Sequence, residues 1–106
     1  MSKPISIKFF QAMPDEGLLA LASHRLEDLP DAWRREAQCS VVVRRHKAAG
    51  ARAVHFVQVD FDRGAPAARI CAESSDADPY AALSRAFDTA RASMMVQSVS
   101  SHASGT

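Results

Sequence analysis

The residues of this sequence that could do chemistry are four histidines, two cysteines, a close pair of aspartates and thirteen lysines and arginines. A metal centre needs three or four nitrogen, sulfur or oxygen ligands brought together at regular spacing. His24, His46, His55 and His102 are scattered along the chain, and Cys39 and Cys71 do not form a CxxC pair. No metal and no cofactor is expected, and the two cysteines are read as reduced thiols in strands rather than a disulfide. Asp60 and Asp62 fall on one face of a strand, where paired carboxylates could share acid and base roles. At a strand end such pairs are more often simply solvated. There is no phosphate-cradling glycine loop, no dinucleotide fingerprint and no GxSxG elbow. The expectation is that the protein is not an enzyme.

The cations are more informative than the nucleophiles. From Arg34 to Arg69 there are eight basic residues (Arg34, Arg35, Arg44, Arg45, Lys47, Arg52, Arg63 and Arg69) against Glu36, Asp60 and Asp62. Net charge over the whole chain is only +1, so the local excess is what bears on phosphate binding. "RRHKAAGAR", Arg44 to Arg52, reads as the basic tip of a hairpin. Arginine can fork two hydrogen bonds onto one phosphate without being buried. Contacts of that kind position a protein on RNA but carry no sequence information. A basic sheet edge can also serve only to discourage aggregation.

These residues must be held by secondary structure. "ISIKFF" alternates, with Ile5, Ile7 and Phe9 on one face and Ser6, Lys8 and Phe10 on the other, as a strand requires. In "MPDEGLLALASHRLEDLP" Pro14 suits a first helical position, and Leu18, Leu19, Ala22, Leu26 and Leu29 form a stripe. Gly17 weakens its first turn, and Pro30 should stop the helix at about Leu29. "DAWRREAQ" is a helical turn or an irregular connector, with Trp33 over one end of the core. "CSVVVRRH" and "RAVHFVQVDF" read as strands joined by a turn at Gly50, the second with Val57, Val59 and Phe61 on one face. "AARICAE" follows the turn "DRGAP". Asp78 and Pro79 then cap and open a second long helix whose stripe is Tyr80, Leu83, Phe87, Ala90 and Met94.

The expected class is α+β, in the order β-α-β-β-β-α. A helix joining the first two strands implies a parallel pair, and the other strands form an antiparallel meander. The result is a four-stranded mixed sheet with two helices packed on one face. The domain is expected over residues 1–97, with a flexible polar tail at 98–106. The other face would carry Lys8, Phe10, Val42, Arg44, His46, Val54, Phe56, Arg69 and Cys71. A chain of 106 residues that is 47% hydrophobic supports one globular core. No apolar run reaches about 18 residues and no secretory signal opens the chain, so the expected location is the cytoplasm, with no membrane partner.

The element order and three segments resemble the ribosome hibernation-promoting factor family, also called the ribosome-associated inhibitor or sigma-54 modulation protein family. "DPYAALSRAFDTARASM" is similar to the family's entry into its last helix, "HRLEDL" to a basic-Leu-Glu segment of its first helix, and "CSVVVRRH" to its valine-rich second strand. The likeness covers about residues 5–97. It implies a factor for ribosome hibernation and translation regulation in the stress response, docking on rRNA of the small ribosomal subunit by occupancy rather than chemistry. Arg25 matches a basic position of the first helix, and Arg85 and Arg91 fall near basic positions of the last. With the hairpin residues, the expected RNA-binding set is Arg25, Arg44, Arg45, Lys47, Arg85 and Arg91, none with a structural role visible in the sequence.

Several positions depart from the family pattern. Thr89, Ala92 and Val96 stand where cations are usual in the last helix, Ala22 where a lysine is usual in the first, and the connector brings its own Arg34 and Arg35. The sequence also lacks the C-terminal extension of long members. Each missing phosphate contact removes counterion-release affinity. The alternative expectation is a domain of the same fold that binds a protein, or a second copy as a homodimer, through an open sheet face carrying Phe10, Val42, Val54 and Phe56.

Overall fold

The computed structural model describes residues 5–47, 49–64 and 69–104, with 97–104 as backbone only. The elements are β1 (Ser6–Phe10), α1 (Glu16–Leu26), α2 (Asp31–Glu36), β2 (Gln38–His46), β3 (Val54–Asp62), β4 (Arg69–Asp76) and α3 (Pro79–Ser104). The strands form one sheet in the order β1-β2-β3-β4. β1 runs parallel to β2, and the β2–β3 and β3–β4 pairs are antiparallel. This is the α+β mixed sheet expected from the alternating strands, with a third, short helix in the connector.

Alternation decides which face is buried. Cys39, Val41 and Val43 of β2, Val57, Val59 and Phe61 of β3, and Ile70 and Ala72 of β4 are all buried. They meet Leu18 and Ala22 of α1 and Ala82, Leu83, Ala86, Phe87, Ala90 and Met94 of α3. Each large side chain removed from water here contributes about 1.5–3 kcal/mol. Phe61 and Phe87 meet edge to face, with ring centroids 5.7 Å apart. Ala82 and Ala86, absent from the expected stripe, are fully buried and let α3 lie close on the sheet. Leu26 packs at the edge of this same core, on the side of the sheet that holds Phe87.

Some local expectations shift. Asp15, not Pro14, starts α1: its extended backbone caps the helix and its carboxylate accepts the Gly17 N–H at 2.8 Å. A short acid able to bond the backbone two residues on wins the cap position, which puts Pro14 outside the helix. Leu19 is exposed, off the buried stripe. Regular α-helix ends at Leu26, and Glu27, Asp28 and Leu29 continue with bonds to residues three back. That tightening comes just before Pro30, which disfavours helical geometry in its predecessor. Asp78 caps α3 as expected, accepting the Tyr80 N–H at 2.9 Å.

Trp33 of α2 is buried, with the Arg63 guanidinium 5.2 Å above its ring. Gly50 and Gly64 both take positive φ at the turns after β2 and β3. Residues 65–66 of the second expected turn and 67–68 of the strand expected at "AARICAE" lie outside the described residues. β4 continues beyond Glu73 through Asp76, because the Ser74–Asp76 backbone pairs with β3 despite the low strand propensity of these residues. α3 runs on through Ser104, so the polar segment expected as a tail begins as helix.

Candidate nucleic-acid interface

The six expected cations fall in three places. Arg25 of α1 and Arg91 of α3 line a groove of about 300 Å³ between these helices, together with Asp28 and Asp88. Arg25 forms an ion pair with Asp88 and reaches the Ser84 carbonyl at 3.4 Å. Arg91 Nε donates to the Asp28 carbonyl at 3.1 Å. The two arginines thus tie the helices together, correcting the expectation that they have no structural role. Arg25 Nε is buried and finds no acceptor among the described residues.

A second cluster forms where β2 and β4 end and β3 begins, near the start of α3. The register sets Arg45 beside His55, and His55 beside Asp76. Arg85 reaches down from α3 to form an ion pair with Asp76. The carboxyl of Asp76 is held below its ordinary range, first by the Asp78 backbone N–H and then by Arg85. His55 Nδ1 lies 2.9 Å from the Ala77 carbonyl. Arg45 and Lys47 are exposed, and neither side chain has an ion pair or hydrogen bond among the described residues.

Arg44 belongs to neither cluster. Successive strand residues face opposite ways, so Arg44 lies on the open face while Arg45 shares the helix side. The basic hairpin tip is therefore split across the sheet. Arg44 sits with its guanidinium carbon 5.2 Å from the Phe10 ring centroid. The register aligns Phe10, Arg44, Phe56 and Ser75 in one row across all four strands. The neighbouring row is Lys8, Val42, Gln58 and Glu73. A groove of about 580 Å³ runs beside Phe56, lined by Val42, Arg44, Gln58, Glu73 and Ser75. Asp60 is held by Arg69 through two hydrogen bonds.

Sequence reading had not singled out Gln58, Glu73 and Ser75, nor the acids Asp28, Asp76 and Asp88. Arg85 pairs with Asp76 of β4, while Asp88 and Arg91 face α1. Only the tertiary arrangement could reveal that.

Cys39 is buried and Cys71 exposed, both as free thiols. Burial, with a smaller contribution from Asp60, pushes the Cys39 thiol up to about 12. Among the described residues no group of three or more histidines, cysteines or acids is placed to hold a metal ion. No described helix is long and apolar enough to cross a membrane.

No family model matches this sequence, and neither does any curated protein. Solved structures do share its fold. A ribosomal subunit interface protein from Coxiella burnetii superposes with a TM-score of 0.68 at 14% identity, covering 90% of this chain and 97% of that one. The N-terminal domain of Protein Y from Thermus thermophilus superposes with a TM-score of 0.55 at 24% identity, covering 89% of this chain and 96% of that one.

Proposed function

We propose that this chain is a ribosome-binding factor that restrains translation by occupancy. It would dock on rRNA of the small subunit through Arg25, Arg44, Arg45, Lys47, Arg85 and Arg91. The observation that carries the reading is the match of nearly the whole chain to the fold of a protein named for the interface between ribosomal subunits. Such a factor would act during hibernation, in the cytoplasm of stressed cells, as one domain and without a cofactor or catalytic step.

Electrostatics ranks five of the six contacts. Arg45 and Lys47 reach a phosphate without giving up any partner among the described residues. Arg85 must be shared with Asp76, and Arg25 with Asp88. Those exchanges cost little, because exposed ion pairs are worth only about 0–1 kcal/mol. Arg91 spends one donor on a backbone carbonyl and keeps others for phosphate.

Co-sedimentation with ribosomes at low and high salt tests the reading. Binding at low salt that falls steeply as salt rises is the expected outcome. A parent protein that stays in the supernatant at low salt overturns it.

A further inference from the structure

The sheet face opposite the helices carries a feature that phosphate docking does not use. Phe10 and Phe56 stand 46% and 47% exposed, whereas Phe61 and Phe87 are fully buried. They flank Arg44 in a single cross-strand row, two strand spacings or about 10 Å apart. Arg44 stacks over Phe10, so the row offers two flat surfaces, the Phe56 ring and the Phe10–Arg44 pair.

We infer that this open face binds single-stranded RNA, with unpaired bases stacked on Phe56 and on the Phe10–Arg44 pair. Exposed aromatic rings and guanidinium planes on a sheet accept splayed bases, whereas a duplex keeps its bases stacked on each other. Charge agrees with this occupant. Lys8 and Arg44 lie on the β1–β2 half of the face, where a strand's phosphates would pass. Of the acids on the other half, Asp60 is engaged by Arg69, and Asp62, which accepts the Gly64 N–H, lies at the far end of β3, six residues from Phe56. Glu73 remains, and it lines the groove beside Phe56 with Gln58 and Ser75. A carboxylate there accepts an N–H from an unpaired base, the exocyclic amino group of cytosine or the N3–H of uracil.

A second copy of the chain fits less well. In a two-fold contact the patch meets itself. That would gather Lys8 and Arg44 from both copies around the aromatic row, where Glu73 is the nearby carboxylate left to offset them.

The test is fluorescence anisotropy with short labelled RNAs at low salt: a cytidine-rich strand, a uridine-rich strand and a duplex. The parent binds both single strands in preference to the duplex. Phe56→Ala weakens single-strand binding by about fivefold to a hundredfold, the range for losing one stacked base. Phe56→Tyr retains it. Phe10→Ala, at the other end of the row, also weakens single-strand binding, an independent readout should Phe56→Ala unfold. Failure of the parent to bind single strands, or equal binding by a folded Phe56→Ala protein, overturns the inference. Self-association in sedimentation that Phe56→Ala abolishes also overturns it, assigning the face to a second copy. The assay contains no ribosomes, so this result and the co-sedimentation result stand or fall separately.

Discussion

Tyr80, Asp15 and Gly17 form a contact that the sequence does not announce. The Tyr80 hydroxyl donates to the Asp15 carboxylate, with oxygens at 2.9 and 3.0 Å, linking the start of α3 to the cap of α1. A side chain at position 17 would put its Cβ 2.3 Å from that hydroxyl. Glycine therefore stands in the first turn of α1 to admit the ring, at some expense in helix propensity. The bond to Asp15, aided by partial burial, raises the phenol above its ordinary value. Its stabilisation is complete below the unfolded value of about 10 and is lost as pH rises through the higher folded value. Tyr80 is the only tyrosine, so tyrosinate absorbance reports it directly. The expected titration lies above that of the unfolded chain, and Gly17→Ala returns it to the ordinary value by displacing the hydroxyl. The cations were legible in the sequence as residue types. Their partners were not, because Asp28, Asp76 and Asp88 lie far from them in sequence or on another element.

Among the elements, the two long helices and four strands were legible from periodicity alone, since one buried face imposes period 2 on a strand and about 3.6 on a helix. Boundaries were less so. α1 loses its last expected turn to Pro30, and β4 gains three polar residues because β3 offers them backbone partners. Phe87 lies where α3 crosses the sheet, fully enclosed and edge-on to Phe61. Phe87→Ala should cost about 3–5 kcal/mol, as buried aromatic truncations do, read from denaturant unfolding. A variant as stable as the parent would place Phe87 outside the core. The split of Arg44 from Arg45 belongs to this scale too: treating "RRHK" as one tip overlooked that a strand sends neighbours to opposite faces.

For the whole molecule, the cations divide into those that hold the fold and those that do not. A triple Arg25→Ala, Arg85→Ala, Arg91→Ala variant removes the ties between α1 and α3 and the link from α3 to β4, so its melting temperature should fall. An Arg45→Ala, Lys47→Ala variant should melt like the parent, since exposed changes of this kind stay within about 0.5 kcal/mol each. On ribosomes the double variant should bind more weakly, with a salt slope flatter by about one unit per lost phosphate contact. Parent-like sedimentation of the folded double variant would remove the hairpin end from the interface. The scaffold was thus readable from the chain, while the sorting of cations required the assembled sheet.

The unequal burial of the two cysteines makes the protein its own reporter of opening. Cys71 lies on the open face and Cys39 is sealed under the helices with a thiol shifted to about 12. A thiolate, not a thiol, attacks an alkylating reagent. Folded protein should therefore consume reagent at Cys71 promptly and at Cys39 only when the helix layer lifts. Measured by mass spectrometry, the slow second addition becomes a clock for that excursion, running in native buffer. Phe87→Ala should speed the clock, and a ligand seated on the open face should slow the first addition while leaving the second to the stability of the fold.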